Sequence, residues 1–193
     1  MGRPREFDRD QALLYAIQLF WKKGYAATST EDLLQVMGIK RQSLYNAFGD
    51  KRQLYLEALG TYLHNATSAH LMRLNTPSSP LEGIRNLLIG LSPQDQSPRP
   101  PGCMGVGSVG EFGTSDAQIG EMMAKVSRLL TERVALRIKE GQTCGEIDST
   151  IDPNQAAGFV HMAVNGLLVA ARAGAGSSEL ETLAGFAVDR LRK

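Results

Sequence analysis

Apolar residues in the first part of the chain recur at intervals of three and four. From Asp8 to Lys23 they fall at Leu13, Ala16, Ile17, Phe20 and Trp21, which is one face of a helix. Asp8 is placed to cap its start, and Gly24 follows a Lys-Lys pair that suits a helix C-terminus. Thr28 and Glu31 then stand at capping-box spacing, and the segment through Met37 carries Leu33, Leu34, Val36 and Met37 before Gly38 interrupts it. Lys40 to Phe48 puts Leu44, Ala47 and Phe48 on one side and leaves Arg41, Gln42, Tyr45 and Asn46 elsewhere on the surface. Asp50 can cap a longer helix with a stripe through Leu54, Tyr55, Ala58, Leu59 and Tyr62, extending toward Leu74.

Further along, Asn75 to Pro80 reads as a linker and Leu81 to Leu91 as a helix. Ser92 to Gly102 contains Pro93, Pro98, Pro100 and Pro101 and is excluded from regular structure. Gly102 to Gly113 is too rich in glycine to assign. Asp116 to Glu140 has the pattern of a long amphipathic helix. Asp152-Pro153, a cap followed by proline at the first helical position, launches a helix through about Ala173, and a last one runs from about Ser178 to Arg192. With neither strand alternation nor internal repeat, the fold class is all-α.

Composition removes some alternatives. A chain of 193 residues with 42% hydrophobic and 21% charged positions has ample material for a core, which excludes wholesale disorder. Two cysteines cannot form a disulfide framework and no basic, apolar leader opens the sequence, so a reducing, cytoplasmic setting is expected. The net charge of +1 hides an asymmetry: through Arg52 there are nine Lys/Arg against six Asp/Glu, and beyond it twelve against fourteen. The positive excess lies where a small phosphate-facing module would use it.

Two short helices separated by Gly38-Ile39, with a longer helix in front, make a helix-turn-helix. Its second helix fits a major groove about 12 Å wide. The blocks Phe20-Trp-Lys-Lys-Gly24-Tyr25, Thr28-Ser-Thr-Glu-Asp-Leu33, Gly38-Ile39, Ser43-Leu-Tyr-Asn-Ala-Phe48 and Asp50-Lys51 resemble, in order, the N-terminal domain of TetR-family repressors. The resemblance implies a helix-turn-helix DNA-binding domain over 1–52 and a helical effector-binding and dimerisation domain over 53–193. It also implies a homodimer on a partly palindromic double-stranded operator, released when a small molecule enters the C-terminal domain. Arg41, Gln42, Tyr45 and Asn46 are the specificity candidates, since Arg can pair with guanine and Gln or Asn with adenine. Thr28 and Lys51 match phosphate-holding positions, and Arg3 and Arg5 form an arm that can reach the minor groove or backbone. Lys40 departs from the family, which most often has Ser or Thr there to cap the reading helix. Losing that cap costs about 1 kcal/mol, and a lysine can contact phosphate instead.

The remaining motifs are weighed against plainer readings. Gly105 to Gly110 satisfies the G-x-G-x-x-G dinucleotide fingerprint, which makes a nucleotide-cofactor enzyme the alternative function. That fingerprint needs a preceding buried strand, whereas Pro98-Arg-Pro-Pro-Gly-Cys103 stands there, so neither enzyme nor cofactor is expected. Gln155 to Ala171 lacks charge but contains His161 and Asn165, and falls short of a membrane span. Gly166, Ala170 and Gly174 recur every fourth residue and allow a close helix-helix interface. In the resembling family the last two helices build the dimer, and Leu180, Leu183, Phe186, Ala187 and Leu191 supply a matching stripe. The Gly102-Cys103 segment resembles TetR subgroups in which a cysteine senses electrophiles or oxidants, against the plainer reading of a small core residue. An effector pocket is expected among the helices carrying Leu87, Cys103, Met104, Phe112, Met123, Val126, His161 and Asn165. The scattered histidines and cysteines give no metal-ligand spacing.

Overall fold

The computed structural model describes residues 7–91 and 102–193. These residues form nine α-helices: α1 (Arg9–Lys23), α2 (Thr30–Met37), α3 (Arg41–Phe48), α4 (Lys51–Asn75), α5 (Pro80–Ile89), α6 (Met104–Phe112), α7 (Ala117–Thr143), α8 (Pro153–Arg172) and α9 (Ser177–Asp189). The all-helical class holds throughout them; the β-type pairing among them is an isolated bridge between Ile147 and Arg192.

Local chemistry sets most boundaries. The Asp8 carboxylate accepts from the amides of Asp10 and Gln11, and α1 ends on Gly24 at φ 82°. The start of α2 differs from the expected capping box. Ser29, not Thr28, accepts from the Asp32 amide, and Asp32 returns the bond to the Ser29 backbone. Thr28 is unavailable because it is fully buried, its hydroxyl donating to the Gly24 carbonyl at 2.6 Å. Gly38 closes α2 in the left-handed region, φ 65°, where a side chain is strained. The supposed linker before α5 is partly its first turn: Ser79 accepts from the Glu82 amide and Pro80 takes the opening helical position, where its missing N–H costs nothing. The glycine-rich stretch that resisted assignment contains α6. At Gly105 an added Cβ would sit 2.8 Å from Leu63 Cδ2 and 3.1 Å from Met123 Cε, so glycine lets α6 lie close against α4 and α7.

Two cores result. The first joins α1 to α4, with Leu33, Leu44, Leu54, Ala58 and Leu59 fully buried, and includes Met104 of α6 and Ile119 of α7. It reaches along α4 to Leu63, well past residue 52. The second is built by α5, α7, α8 and α9 around Leu74, Ile84, Leu87, Val134, Ile138, Ala157, Val160 and Ala184. Lys40 stands at the N-cap of α3 with no side-chain cap bond. Burying a leucine contributes about 1.5–3 kcal/mol, so Leu44 holds α3 more firmly than the missing cap, at about 1 kcal/mol, loosens it.

Candidate functional site

α3 buries Leu44 and Phe48 against the first core and exposes Arg41, Gln42, Tyr45 and Asn46, with Lys40 exposed just before its first turn. Tyr45 is 44% exposed, too open for a core side chain. The Arg41 Nη2 donates to Glu31 Oε1 across the α2–α3 gap. The Gln42 amide donates to Asn46 Oδ1 at 3.0 Å, one helical turn on. Arg41, Gln42 and Asn46 are therefore each engaged by a neighbouring side chain.

The orientation of α3 is fixed from behind. Arg9 of α1 donates through Nε and Nη2 to the Ala47 carbonyl at 3.3 and 3.1 Å, and through both terminal nitrogens to Glu57 at 2.7 and 2.8 Å. Its guanidinium also lies 4.4 Å from the centroid of the Phe48 ring. A cation at the C-terminal end of α3 complements the helix dipole there. Sequence reasoning missed Arg9 and Glu57 because their partnership spans 48 residues and leaves no periodic trace.

The remaining DNA-facing candidates fare differently. Lys51, in the first turn of α4, has its ammonium 4.2 Å from the centre of the Tyr25 ring. Thr28 requires correction: a fully buried hydroxyl already bonded to Gly24 has no phosphate-facing surface. The exposed cap of α2 is Ser29. Arg3 and Arg5 lie outside the described residues.

The expected effector residues are not gathered around one space. Met104, Phe112, Met123 and Val126 pack with the first core. Leu87 is fully buried in the second, and His161 sits between α7 and α8 with Nδ1 3.4 Å from the Ser127 hydroxyl. Burial lowers the His161 pKa, which favours the neutral ring. A cleft of about 340 Å³ between α6 and α8 is lined by Cys103, Val106, Gly107, Leu168, Val169, Arg172 and Ala173. Of the expected set it takes Cys103 alone. Cys103 and Cys144 are both free thiols.

Helix α6 joins that cleft to the reading head. Its first turn lines the cleft, and at its other end the Glu111 carboxylate accepts from the backbone amides of Tyr25 and Ala26 at 3.0 and 2.8 Å. The Phe112 ring packs at a tilt against Tyr25 and Tyr55, ring centroids 5.4 and 5.7 Å away. From α8, Arg172 donates to the Trp21 carbonyl at 3.0 Å, so a residue of the cleft also holds the end of α1. Arg52 pairs with Asp116, the cap of α7, and this bond holds the Asp116 carboxyl below the usual carboxylate range. These contacts tie the helix-turn-helix to the body at three places.

The glycine fingerprint falls inside a helix and not at a strand-to-helix turn. Gly105, Gly107 and Gly110 all lie within α6, with no strand before them among the described residues. No cluster of potential metal ligands occurs among the described residues, and none of their helices is long and apolar enough to cross a membrane. The outer face of α8 and α9 is apolar and open. Phe159, Met162, Val169, Leu183 and Phe186 are 37 to 67% exposed, and a Cβ at Gly158, Gly166 or Gly185 would meet nothing within 4 Å.

Comparison with known proteins agrees with this architecture. The family model described as bacterial regulatory proteins, tetR family, matches residues 13–58, and that of the tetracyclin repressor-like C-terminal domain matches residues 81–184. The chain is 34% identical over 149 residues to the uncharacterized HTH-type transcriptional regulator YezE of Bacillus subtilis, covering 77% of each chain. It is 28% identical over 186 residues to the HTH-type transcriptional repressor ComR of Escherichia coli, covering 95% of this chain and 89% of the relative. Among solved structures, a cysteine-substituted CifR, a TetR-family regulator complexed with 26-bp double-strand operator DNA, superposes with a TM-score of 0.85 at 29% identity. That match covers 98% of this chain and all of the other. With both halves matched and a polar-faced α3 mounted on a buried helical core, the chain belongs to the TetR family of DNA-binding transcriptional regulators.

Proposed function

We infer that this protein is a homodimeric, cytoplasmic repressor that holds a partly palindromic operator and releases it when a small molecule or reactive electrophile acts on its C-terminal domain. The observation that carries the reading is α3, which buries two apolar residues and offers Arg41, Gln42, Tyr45 and Asn46 outward. Arg41, Gln42 and Asn46 have the chemistry to read base edges, while Lys40, Lys51, Arg3 and Arg5 would contact backbone phosphate and fix position. The division into a DNA-binding part, 1–52, and an effector and dimer part, 53–193, leaves α4 shared between them. This sharing gives the body a rigid handle on the reading head.

Dimerisation through α8 and α9 is supported by their open apolar face. For the effector, the cleft beside Cys103 is the best-supported site, because two of its walls continue into the contacts on Tyr25, Ala26 and Trp21. A ligand or adduct there would shift the population toward dimers whose reading helices no longer match successive major grooves, about 34 Å apart. Selection of bound duplexes from a random library tests the DNA reading, with a palindromic consensus expected; absence of any enriched sequence overturns it. Adding electrophiles to the operator complex then tests Cys103. Cys103→Ser is expected to abolish release, and normal release by this variant removes the thiol from the mechanism. Lys51→Ala is expected to weaken binding alike on all sequences and to reduce the salt slope by about 1.

A further inference from the structure

We propose that Glu31 is a positioning residue for sequence discrimination, holding Arg41 for base reading while lowering affinity for every other duplex. The inference rests on the reading above, in which the outer face of α3 meets DNA. Glu31 lies in the first turn of α2, the end whose free amides and dipole attract phosphate in a helix-turn-helix. A carboxylate there opposes that attraction. Its neighbour Asp32 has a structural task, closing the Ser29 capping box and pairing with Lys23 at 3.1 Å. Glu31 has neither role: its side chain is 70% exposed and its ion pair is with Arg41, itself 55% exposed at the opening of the reading helix.

The geometry divides the guanidinium. One N–H of Arg41 Nη2 is engaged by Glu31 Oε1, which leaves the second Nη2 N–H to form a fork with a neighbouring guanidinium nitrogen. A guanine edge offers two acceptors, O6 and N7, so one guanidinium can serve carboxylate and base together. Phosphate gains less from the same arrangement, because the Glu31 charge cancels that of Arg41 and repels the backbone. Unpaired, Arg41 would be a long, mobile cation that any phosphate satisfies. Paired, it is oriented, and its remaining donors are satisfied only where guanine stands at the right step. Discrimination rises while general affinity falls, as the electrostatic share of DNA binding requires when a charge is cancelled.

The test compares the natural protein, Glu31→Gln, Arg41→Ala and the double variant on the selected operator, on operators changed at single base pairs, and on unrelated duplex. Glu31→Gln is expected to tighten binding to unrelated duplex several-fold at low salt and to steepen the salt dependence by up to about 1 per half-site. It is also expected to reduce discrimination by about tenfold at the base pair that Arg41→Ala relaxes. The double variant should discriminate no better and no worse than Arg41→Ala alone. If Arg41→Ala alters selection while Glu31→Gln leaves both discrimination and salt slope unchanged, the proposal is overturned and the base-reading assignment stands. If Arg41→Ala alters no position, the base reading itself fails and the proposal with it. Both side chains are surface groups, and equal thermal midpoints for the four proteins verify that folding is not being read.

Discussion

The outer face of α3 and the outer face of α8 and α9 are both exposed, and their chemistry is opposite. On α3 the outward residues are Arg41, Gln42, Tyr45 and Asn46, with Arg41 already engaged with Glu31 and Gln42 with Asn46. On α8 and α9 they include Phe159, Met162, Val169, Leu183 and Phe186, interspersed with glycines that leave room for a second backbone. A polar face carrying directed donors suits a ligand with fixed acceptors, such as base edges. An apolar face suits a partner that removes water over a broad area, which is where burial at about 25 cal/mol per Å² becomes useful. Exposure alone therefore says little about a partner; the kind of atom exposed and its existing bonds say much more.

The largest effect is expected from charging the apolar face. Met162→Glu with Leu183→Glu should convert the proposed dimer to monomer at micromolar concentration in sedimentation experiments. Operator affinity should fall more than about 100-fold, since one half-site then binds without its twin. A dimer that persists with operator binding intact breaks the contrast between the two faces. On the polar face, Gln42→Ala or Asn46→Ala should relax preference at particular base pairs at a cost of about 1–3 kcal/mol each, read by selection from a random library. Unchanged selection profiles would take these two side chains out of the reading set.

The helix joining the two regions supplies a pH test. Burial, aided by Arg73 nearby, pushes His70 on α4 down to about 4, from an ordinary value of 6.5. The unfolded chain thus takes up a proton between those two values and the native protein does not. Stability is full above pH 6.5 and declines as pH falls toward 4, by about 2 kcal/mol at pH 5. Urea midpoints at pH 7 and 5 should converge in His70→Gln, and an equally pH-sensitive variant would place the loss elsewhere. The smallest effect belongs to the cap of α2: Ser29→Ala should cost about 1 kcal/mol and Thr28→Ser less at the cap, because the capping bond is made by Ser29. Circular dichroism melts check the ordering at that position.

Much of the reading head was legible without coordinates. Periodicity placed α1 and α3, Gly38 marked the turn, and the sidedness of Leu44 and Phe48 against Arg41 and Asn46 gave the exposed face. The capping box was displaced by one residue because Thr28 and Ser29 offer the same hydroxyl chemistry. Only the buried bond from Thr28 to Gly24 separates them. For the expected effector residues, pattern has less to offer: Met104, Phe112, Met123 and Val126 have the composition of a pocket wall, and in the fold they pack with the first core.

Periodicity is a property of neighbours along the chain, so sequence by itself determined the all-α class and the helices other than the glycine-rich α6, with the apolar face of each. The partnerships of Arg9 with Glu57, Arg41 with Glu31, Glu111 with the Tyr25 and Ala26 amides, and Arg172 with Trp21 span from 10 to 151 residues. Such pairs leave no regular spacing to detect. They exist because packing two cores along a shared α4 brings distant charged groups within hydrogen-bonding reach, and tertiary structure alone decided them.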